Sequence, residues 1–247
     1  MSLAIPYAAK RFLRLCDSFL TRRQSVVIFR GVSHRFYYPY WWPSATQQIF
    51  DEEIVPYFRA LGDFIPSTIL DVGAAEGHFS IVAAKSFPGS VVYAFEPALR
   101  QRILLSRNAR LNCVKDLTVE PFGLWNREDS LPFRTTGAES SFAPVSRFKG
   151  KLSFPEKVRV VPLDAWIKSR TLPSIDLIKM DAEGAEIEIL EGARDALRRF
   201  RPHLLVQAYH VRDGTRTFER CAEILRANQY EIREWGSATG LLAAHPG

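Results

Sequence analysis

The stretch S-T-I-L-D-V-G-A-A-E-G-H-F-S (67–80) decides the fold. Ser67–Val72 is a short apolar run with β-branched residues, which reads as a strand buried on both faces. Gly73 ends that run with a residue free to turn tightly. From His78 to Phe87 the spacing becomes helical, and Pro88-Gly89 closes the segment. A buried strand, a glycine turn and a helix in succession open a βαβ unit.

The alternation continues downstream. Ser90–Phe95 reads as a second apolar strand, Leu99–Asn112 as a helix and Thr118–Leu124 as a third strand. Residues 125–157 are rich in Pro, Gly, Ser and scattered charge and read as loop, and Val158–Pro162 as a short extended run. Ile175–Asp181 is a further strand, Ala185–Phe200 a helix, His203–Tyr209 a strand and Thr215–Asn228 a helix. Tyr230–Trp235 and Gly240–Ala244 read as a closing hairpin. Upstream, Ile49, Phe50, Ile54, Tyr57, Phe58 and Leu61 mark an amphipathic helix that Pro56 kinks or restarts. Strands alternating with helices of this length imply a mostly parallel α/β sheet covered on both faces, with one antiparallel strand at or near its edge.

The 247 residues suit one domain of residues 46–247 with an N-terminal arm of residues 1–45. The net charge of +6 sits in that arm, where seven basic side chains within residues 1–35 face the single acid Asp17. The rest of the chain is balanced. Phe12, Leu13, Leu15, Cys16, Phe19 and Leu20 alternate with the charges at helical spacing. Such a stretch either packs on its own domain or, over residues 10–35, lies on an anionic membrane surface. Phe36–Trp42 then holds six aromatics among seven residues, broken by Pro39, as an apolar lid over a ligand or a clasp on the sheet edge. No apolar run reaches the ~18 residues of a membrane span, and the start lacks the core of a signal peptide. Three cysteines without ligand-like spacing suggest neither a disulfide framework nor a metal knuckle. The composition is that of a cytosolic, cytoplasmic protein.

Ligands of such sheets bind beyond the carboxyl ends of the strands, where strand order reverses. Asp71, Gly73, Ala74, Glu76 and Gly77 come to that edge from the first strand. Glu96, with Pro97, closes the second strand, where a carboxylate accepts both hydroxyls of a ribose. A dinucleotide site wants G-x-G-x-x-G, but the spacing here is G-x-x-x-G and Glu76 faces the place of a pyrophosphate. A carboxylate repels a pyrophosphate and attracts a sulfonium or an α-amino group, which favours S-adenosyl-L-methionine over NAD. Adenine recognition is expected around Gly123–Trp125.

The motifs DVGAAEG (71–77), FEP (95–97), Asn108 and Asn112, LDAW (163–166), DLIKMDAEGAE (176–186) and RPHLLVQ (201–207) resemble the FkbM-type methyltransferase family over about Ile69 to His210. The resemblance implies a Rossmann-like seven-stranded sheet of the class I methyltransferase type, S-adenosyl-L-methionine as donor, and O-methylation of a small molecule or glycan. The chain departs from the family pattern at Ala75, where Asn is usual, at Gln207, where Glu is usual, and at Tyr209, where His is frequent.

Asp181, Glu183 and Glu186 cluster where the acceptor should meet the donor. Asp181 is expected both to touch the cofactor and to serve as base, with Glu183 and His210 as further catalytic candidates. A hydroxyl acceptor needs a base, and His210 has the ordinary pKa of one near neutrality, whereas a carboxylate acceptor needs none. Acids at a helix start also stabilise its dipole with no catalytic role. Asp181, Gln207 and His210 offer O and N ligands for a divalent ion, but nothing in their spacing demands a metal. Lys179, in a buried strand, is expected to pair with an acid. Loop 136–150 is placed to cover the site. A nucleic-acid partner is not expected, because KMDAEG is not the Asn/Asp-Pro-Pro-aromatic loop of base methylation. An RNA methyltransferase using the basic arm and a non-catalytic adenosine-binding module are the competing readings.

Overall fold

The computed structural model describes residues 20–38, 45–135, 140–141, 154–212, 215–235 and 241–246. The N-terminal hairpin pairs β1 (Gln24–Phe29) with β2 (Val32–Tyr37) antiparallel. Helix α1 follows in three pieces, Ala45–Ile49, a π turn Phe50–Ile54, and Val55–Leu61. Pro56 explains the π turn: it has no N–H, and its ring cannot approach the carbonyl four residues back. The Val55 N–H accordingly reaches the Phe50 carbonyl, five residues back.

The main sheet takes its strands from β3 (Thr68–Val72), β4 (Val91–Phe95), β5 (Leu117–Glu120), β10 (Leu177–Met180), β11 (His203–Gln207), β14 (Tyr230–Trp235) and β15 (Leu241–Pro246). Their spatial order is β14-β15-β11-β10-β3-β4-β5. β15 runs antiparallel between β11 and β14, so the expected antiparallel strand lies one place in from the edge. Every residue of β3 and of β10 is buried, as strands covered on both faces require. Helices α2 (His78–Ser86), α3 (Leu99–Leu111), α4 (Leu163–Lys168), α5 (Glu186–Glu191), α6 (Arg194–Phe200) and α7 (Thr217–Ala227) complete the layers. The helix expected over 185–200 is broken at Gly192, where an added Cβ would meet the Trp125 carbonyl oxygen at 2.1 Å.

The stretch expected to be loop holds strands. A four-stranded side sheet, ordered β6-β9-β7-β8, is built from β6 (Gly123–Leu124), β7 (Asp129–Thr135), β8 (Ser140–Ser141) and β9 (Phe154–Val161). The single strand expected over 118–124 is thus split between the two sheets, at Glu120 and Gly123. A short pair, β12 (Val211–Arg212) with β13 (Thr215–Arg216), lies beyond β11.

Part of the arm belongs to the domain. Phe36 is fully buried and stacks on His78 at 4.4 Å between ring centroids. Asn108 accepts from the Tyr37 N–H at 2.7 Å, and Asn112 from the Arg35 N–H at 2.9 Å. The amphipathic stretch before Leu20 and the aromatics from 39 to 43 lie outside the described residues, as does loop 136–150 apart from Ser140–Ser141. Among the described residues, no helix is long and apolar enough to cross a membrane.

Candidate active site

Strand order reverses between β3 and β10, and the cleft opens there, beyond their carboxyl ends. The two strand ends touch. The Asp181 N–H donates to the Val72 carbonyl at 2.9 Å, and a Cβ added to Gly73 would sit 1.9 Å from the Asp181 carbonyl oxygen. Gly73, at φ +75°, is therefore required both by its backbone conformation and by this close approach.

The glycine turn and Glu96 form one wall. The Glu96 carboxylate accepts the Ala75 N–H at 2.9 Å through Oε2 and the Ala98 N–H at 2.8 Å through Oε1. Burial pushes its pKa up to about 7, against the pull of those two donors. Each oxygen keeps acceptor capacity, as recognition of a vicinal diol requires. Gly73, Ala74, Glu76, Pro97 and Gln101 line the same wall, and burial raises the Glu76 pKa while Arg100 opposes it. Gly123 and Leu124 line the cleft from the side sheet, with Phe133 of β7.

Two residues expected at the cofactor do not line the cleft. Asp71 is fully buried, and its carboxylate is taken by Lys179 Nζ at 3.1 Å and by the Ser80 hydroxyl. It is a partner for lysine, and Lys179 is the lining residue instead. Gly77 packs away from the cleft, where a Cβ would meet Leu105 Cγ at 2.9 Å.

The opposite wall is acidic. Asp181 and Glu183 line the cleft, and Asp181 Oδ1 is buried without a hydrogen-bond partner among the described residues. Burial raises the Asp181 pKa to about 6, Lys179 counteracting and Glu183 adding to the effect. Glu186 points inward, its Oε1 accepting the Ala182 N–H at 3.2 Å and the Gly184 N–H at 3.1 Å. His210 lies between two acids, Nε2 3.3 Å from Glu183 and Nδ1 3.3 Å from Glu186. Burial alone would lower its pKa, but the two carboxylates prevail and hold it up at about 10. As an imidazolium His210 holds Glu183 and Glu186 in place; only as a neutral ring does it offer the lone pair that the base expected of it requires. Donor atoms of Asp181, Glu183 and a neutral His210 lie within 4.8 Å of one another, which could hold a cation.

Sequence reasoning missed Glu53, which enters the cleft from the π turn, and His78, which lines its floor. The one available signal for Glu53 was three acids, Asp51 to Glu53, just ahead of a helix-disturbing proline. His78 is buried, and its pKa falls to about 3 through burial and the nearby Lys179, so it is a neutral packing surface for Phe36. Other motif acids are structural. Asp164 accepts the Asp195 and Ala196 N–H groups at the start of α6, and Asp176 accepts those of Ser67 and Thr68.

A seven-stranded sheet in this order, with a glycine turn and an acid-ended second strand at the switch point, defines the class I methyltransferase fold. Residues 71–232 match the Methyltransferase FkbM domain, and the chain belongs to that family. It is 30% identical over 153 residues to methyltransferase sdnD of Sordaria araneosa, covering 50% of this chain and 59% of that protein. It is 26% identical over 148 residues to methyltransferase 1 of Beauveria bassiana, covering 52% of this chain and 59% of the relative. The matches thus span just over half the length of these curated relatives. Among solved structures, a methyltransferase FkbM from Methylobacillus flagellatus superposes with a TM-score of 0.51 at 21% identity, covering 72% of this chain and 43% of its own. The 16S rRNA methyltransferase RsmC of T. thermophilus gives 0.52 at 13% identity, covering 91% of this chain and 50% of its own.

Proposed function

We propose that this chain transfers the methyl group of S-adenosyl-L-methionine to an oxygen of a small molecule or glycan. One observation carries the reading: Glu96, fixed by two backbone N–H groups, faces Asp181 across a cleft at the switch point of a methyltransferase-family sheet. Glu96 fits the ribose diol. The apolar wall of Leu124, Phe133 and Ile189 fits adenine, and the acidic wall fits the charge of the sulfonium and amino groups. The cofactor supplies an electrophilic methyl group; the chain's own residues must align the acceptor and take its proton.

Asp181 suits the second task. It ends β10 in the cleft, its Oδ1 is uncommitted among the described residues, and a pKa near 6 leaves it ionised at neutral pH yet basic enough to accept a proton. Lys179 and Gly73 fix its neighbourhood, since Lys179 Nζ also donates to the Gly73 carbonyl at 3.2 Å. Alignment of acceptor and donor is the larger contribution, worth roughly 7–11 kcal/mol in favourable cases.

The test is transfer of isotope-labelled methyl from S-adenosyl-L-methionine to a panel of hydroxylated acceptors. Asp181→Asn should lower kcat by about 10²–10⁴-fold. Label transfer unaffected by that substitution would remove Asp181 from the chemistry.

A further inference from the structure

An acceptor entering the cleft meets acid on two sides. Asp181 and Glu183 follow the end of β10, and Glu53 faces the same space from the π turn of α1. Among the described residues the cation lining that region is Lys179, whose ammonium is already held by the Asp71 carboxylate at 3.1 Å and the Gly73 carbonyl at 3.2 Å. Glu53 is half-buried, and no hydrogen bond or ion pair within the described residues occupies its carboxyl group. A helix of regular pitch has no need of a π turn at this point; the widened turn follows from Pro56 and sets Glu53 in the wall of the cleft.

We propose that Glu53 is a direct acceptor-binding residue, and that with Asp181 it selects a neutral hydroxyl group and turns away carboxylates and phosphates. The proposal rests on the methyl-transfer reading above. Two carboxyl groups sharing one desolvated space cannot both ionise cheaply, so one keeps a proton. Glu53, on the cleft wall with no partner for its carboxyl group among the described residues, is the one placed to keep it, and burial and the Asp181 carboxylate act in the same direction. A hydroxyl group is the complement of that pair: its oxygen accepts from Glu53 while its proton points to Asp181. In the transfer the acceptor O–C bond forms and the C–S bond breaks. The hydroxyl proton passes to Asp181, leaving a methyl ether and S-adenosylhomocysteine. An anionic acceptor has no proton to offer Asp181 and adds charge to a region already acidic.

The experiment compares the full chain with Glu53→Gln, and with Glu52→Gln as an exposed neighbouring control. S-adenosylhomocysteine binding is measured first, by calorimetry. Labelled methyl transfer follows, to matched acceptors: methyl glucoside and inositol as neutral members, methyl glucuronide and glucose 6-phosphate as anionic ones. The expected result is uptake by neutral members with the anions excluded. Glu53→Gln should raise the acceptor KM about tenfold, as loss of one hydrogen-bonding interaction allows. It should relax discrimination against the glucuronide carboxylate and leave cofactor affinity within twofold, while Glu52→Gln, which removes only the smallest of the charges acting on Glu53, shifts acceptor KM and discrimination by less than twofold. Methylation of the glucuronide carboxylate by the wild type as efficiently as of a neutral hydroxyl would overturn the proposal. So would an acceptor KM and discrimination untouched by Glu53→Gln, or no uptake by any neutral member from a protein that binds S-adenosylhomocysteine. Absence of S-adenosylhomocysteine binding in every form is the distinct result that refutes the methyl-transfer reading itself, and the proposal with it.

Discussion

Lys179 Nζ lies 3.1 Å from Asp71 Oδ1, between residues that are direct cross-strand neighbours on β10 and β3. Their side chains are 5% and 0% exposed, so neither charge has water as an alternative partner. Lys179→Met leaves Asp71 as an uncompensated buried charge, and we expect a loss of about 3–5 kcal/mol in chemical denaturation at pH 7. The Lys179 pKa is raised: burial works against the charge, and Asp71, Asp181 and Glu53 together outweigh it. The stabilisation is therefore complete below the unfolded lysine pKa and disappears as pH rises through the higher folded value. A methionine variant as stable as the wild type at neutral pH would show that the pair contributes nothing net.

Gly73 carries a second constraint on the same strand end. With φ at +75° and the Asp181 carbonyl oxygen 1.9 Å from where a Cβ would sit, Gly73→Ala must both strain the turn and push β10 away. Roughly 2–4 kcal/mol of destabilisation follows from the strain and the overpacking together. Thermal unfolding measures it; a melting temperature unchanged from wild type would mean that the two strand ends do not meet.

Asn108 ties the N-terminal hairpin to the glycine turn. Its side-chain oxygen accepts the Tyr37 N–H at 2.7 Å and its amide donates to the Glu76 carbonyl at 2.9 Å. Asn108→Ala strands both backbone groups, at about 1–3 kcal/mol each if water does not replace the lost partner. Hydrogen exchange should show Tyr37 losing protection while β11 amides keep theirs. Uniform loss across the sheet would indicate global destabilisation in place of a local tie.

Glu53 should make stability depend on pH in a defined direction. Its folded pKa near 8, raised first by burial and then by Asp181, with Glu183 and Glu52 adding and Lys179 opposing, lies above the ordinary value of 4.5. The folded state therefore holds a proton that the unfolded state releases, and stability falls as pH rises between those values. Glu53→Gln removes that fall. Relative to wild type it should match at pH 4 and gain about 1–3 kcal/mol by pH 9, a figure discounted for solvent screening at a half-buried group. A gain at pH 4 that vanishes at pH 9 would reverse the sign and contradict the assignment.

The sheet and the glycine-turn wall of the cleft were legible because their residues obey strong local rules. Ser67–Val72 is short, holds β-branched residues and is closed by Gly73, which favours a strand over a buried helix, and Glu96 follows at the end of the next strand. The side sheet was not legible. β7 and β9 carry Pro132 and Pro155, which argue against a strand in sequence, so they read as loop until paired with each other. Glu53 and the role of His210 escaped for a different reason. Each depends on what faces it from a distant element: Asp181 across the cleft for Glu53, and Glu183 and Glu186 on both imidazole nitrogens for His210. Asp71 misled because a carboxylate at the end of a strand looks the same in sequence whether it meets a ligand or, as here, a buried lysine.

Glu96 and the glycine turn are proposed to hold the nucleoside of S-adenosyl-L-methionine. Calorimetric titration with S-adenosylhomocysteine, with NADH in parallel and both repeated on Glu96→Ala, tests this proposal most directly. Micromolar binding of S-adenosylhomocysteine by the wild type, no binding of NADH, and loss of binding in the variant are expected. Binding of NADH, or S-adenosylhomocysteine affinity unchanged by Glu96→Ala, would contradict it.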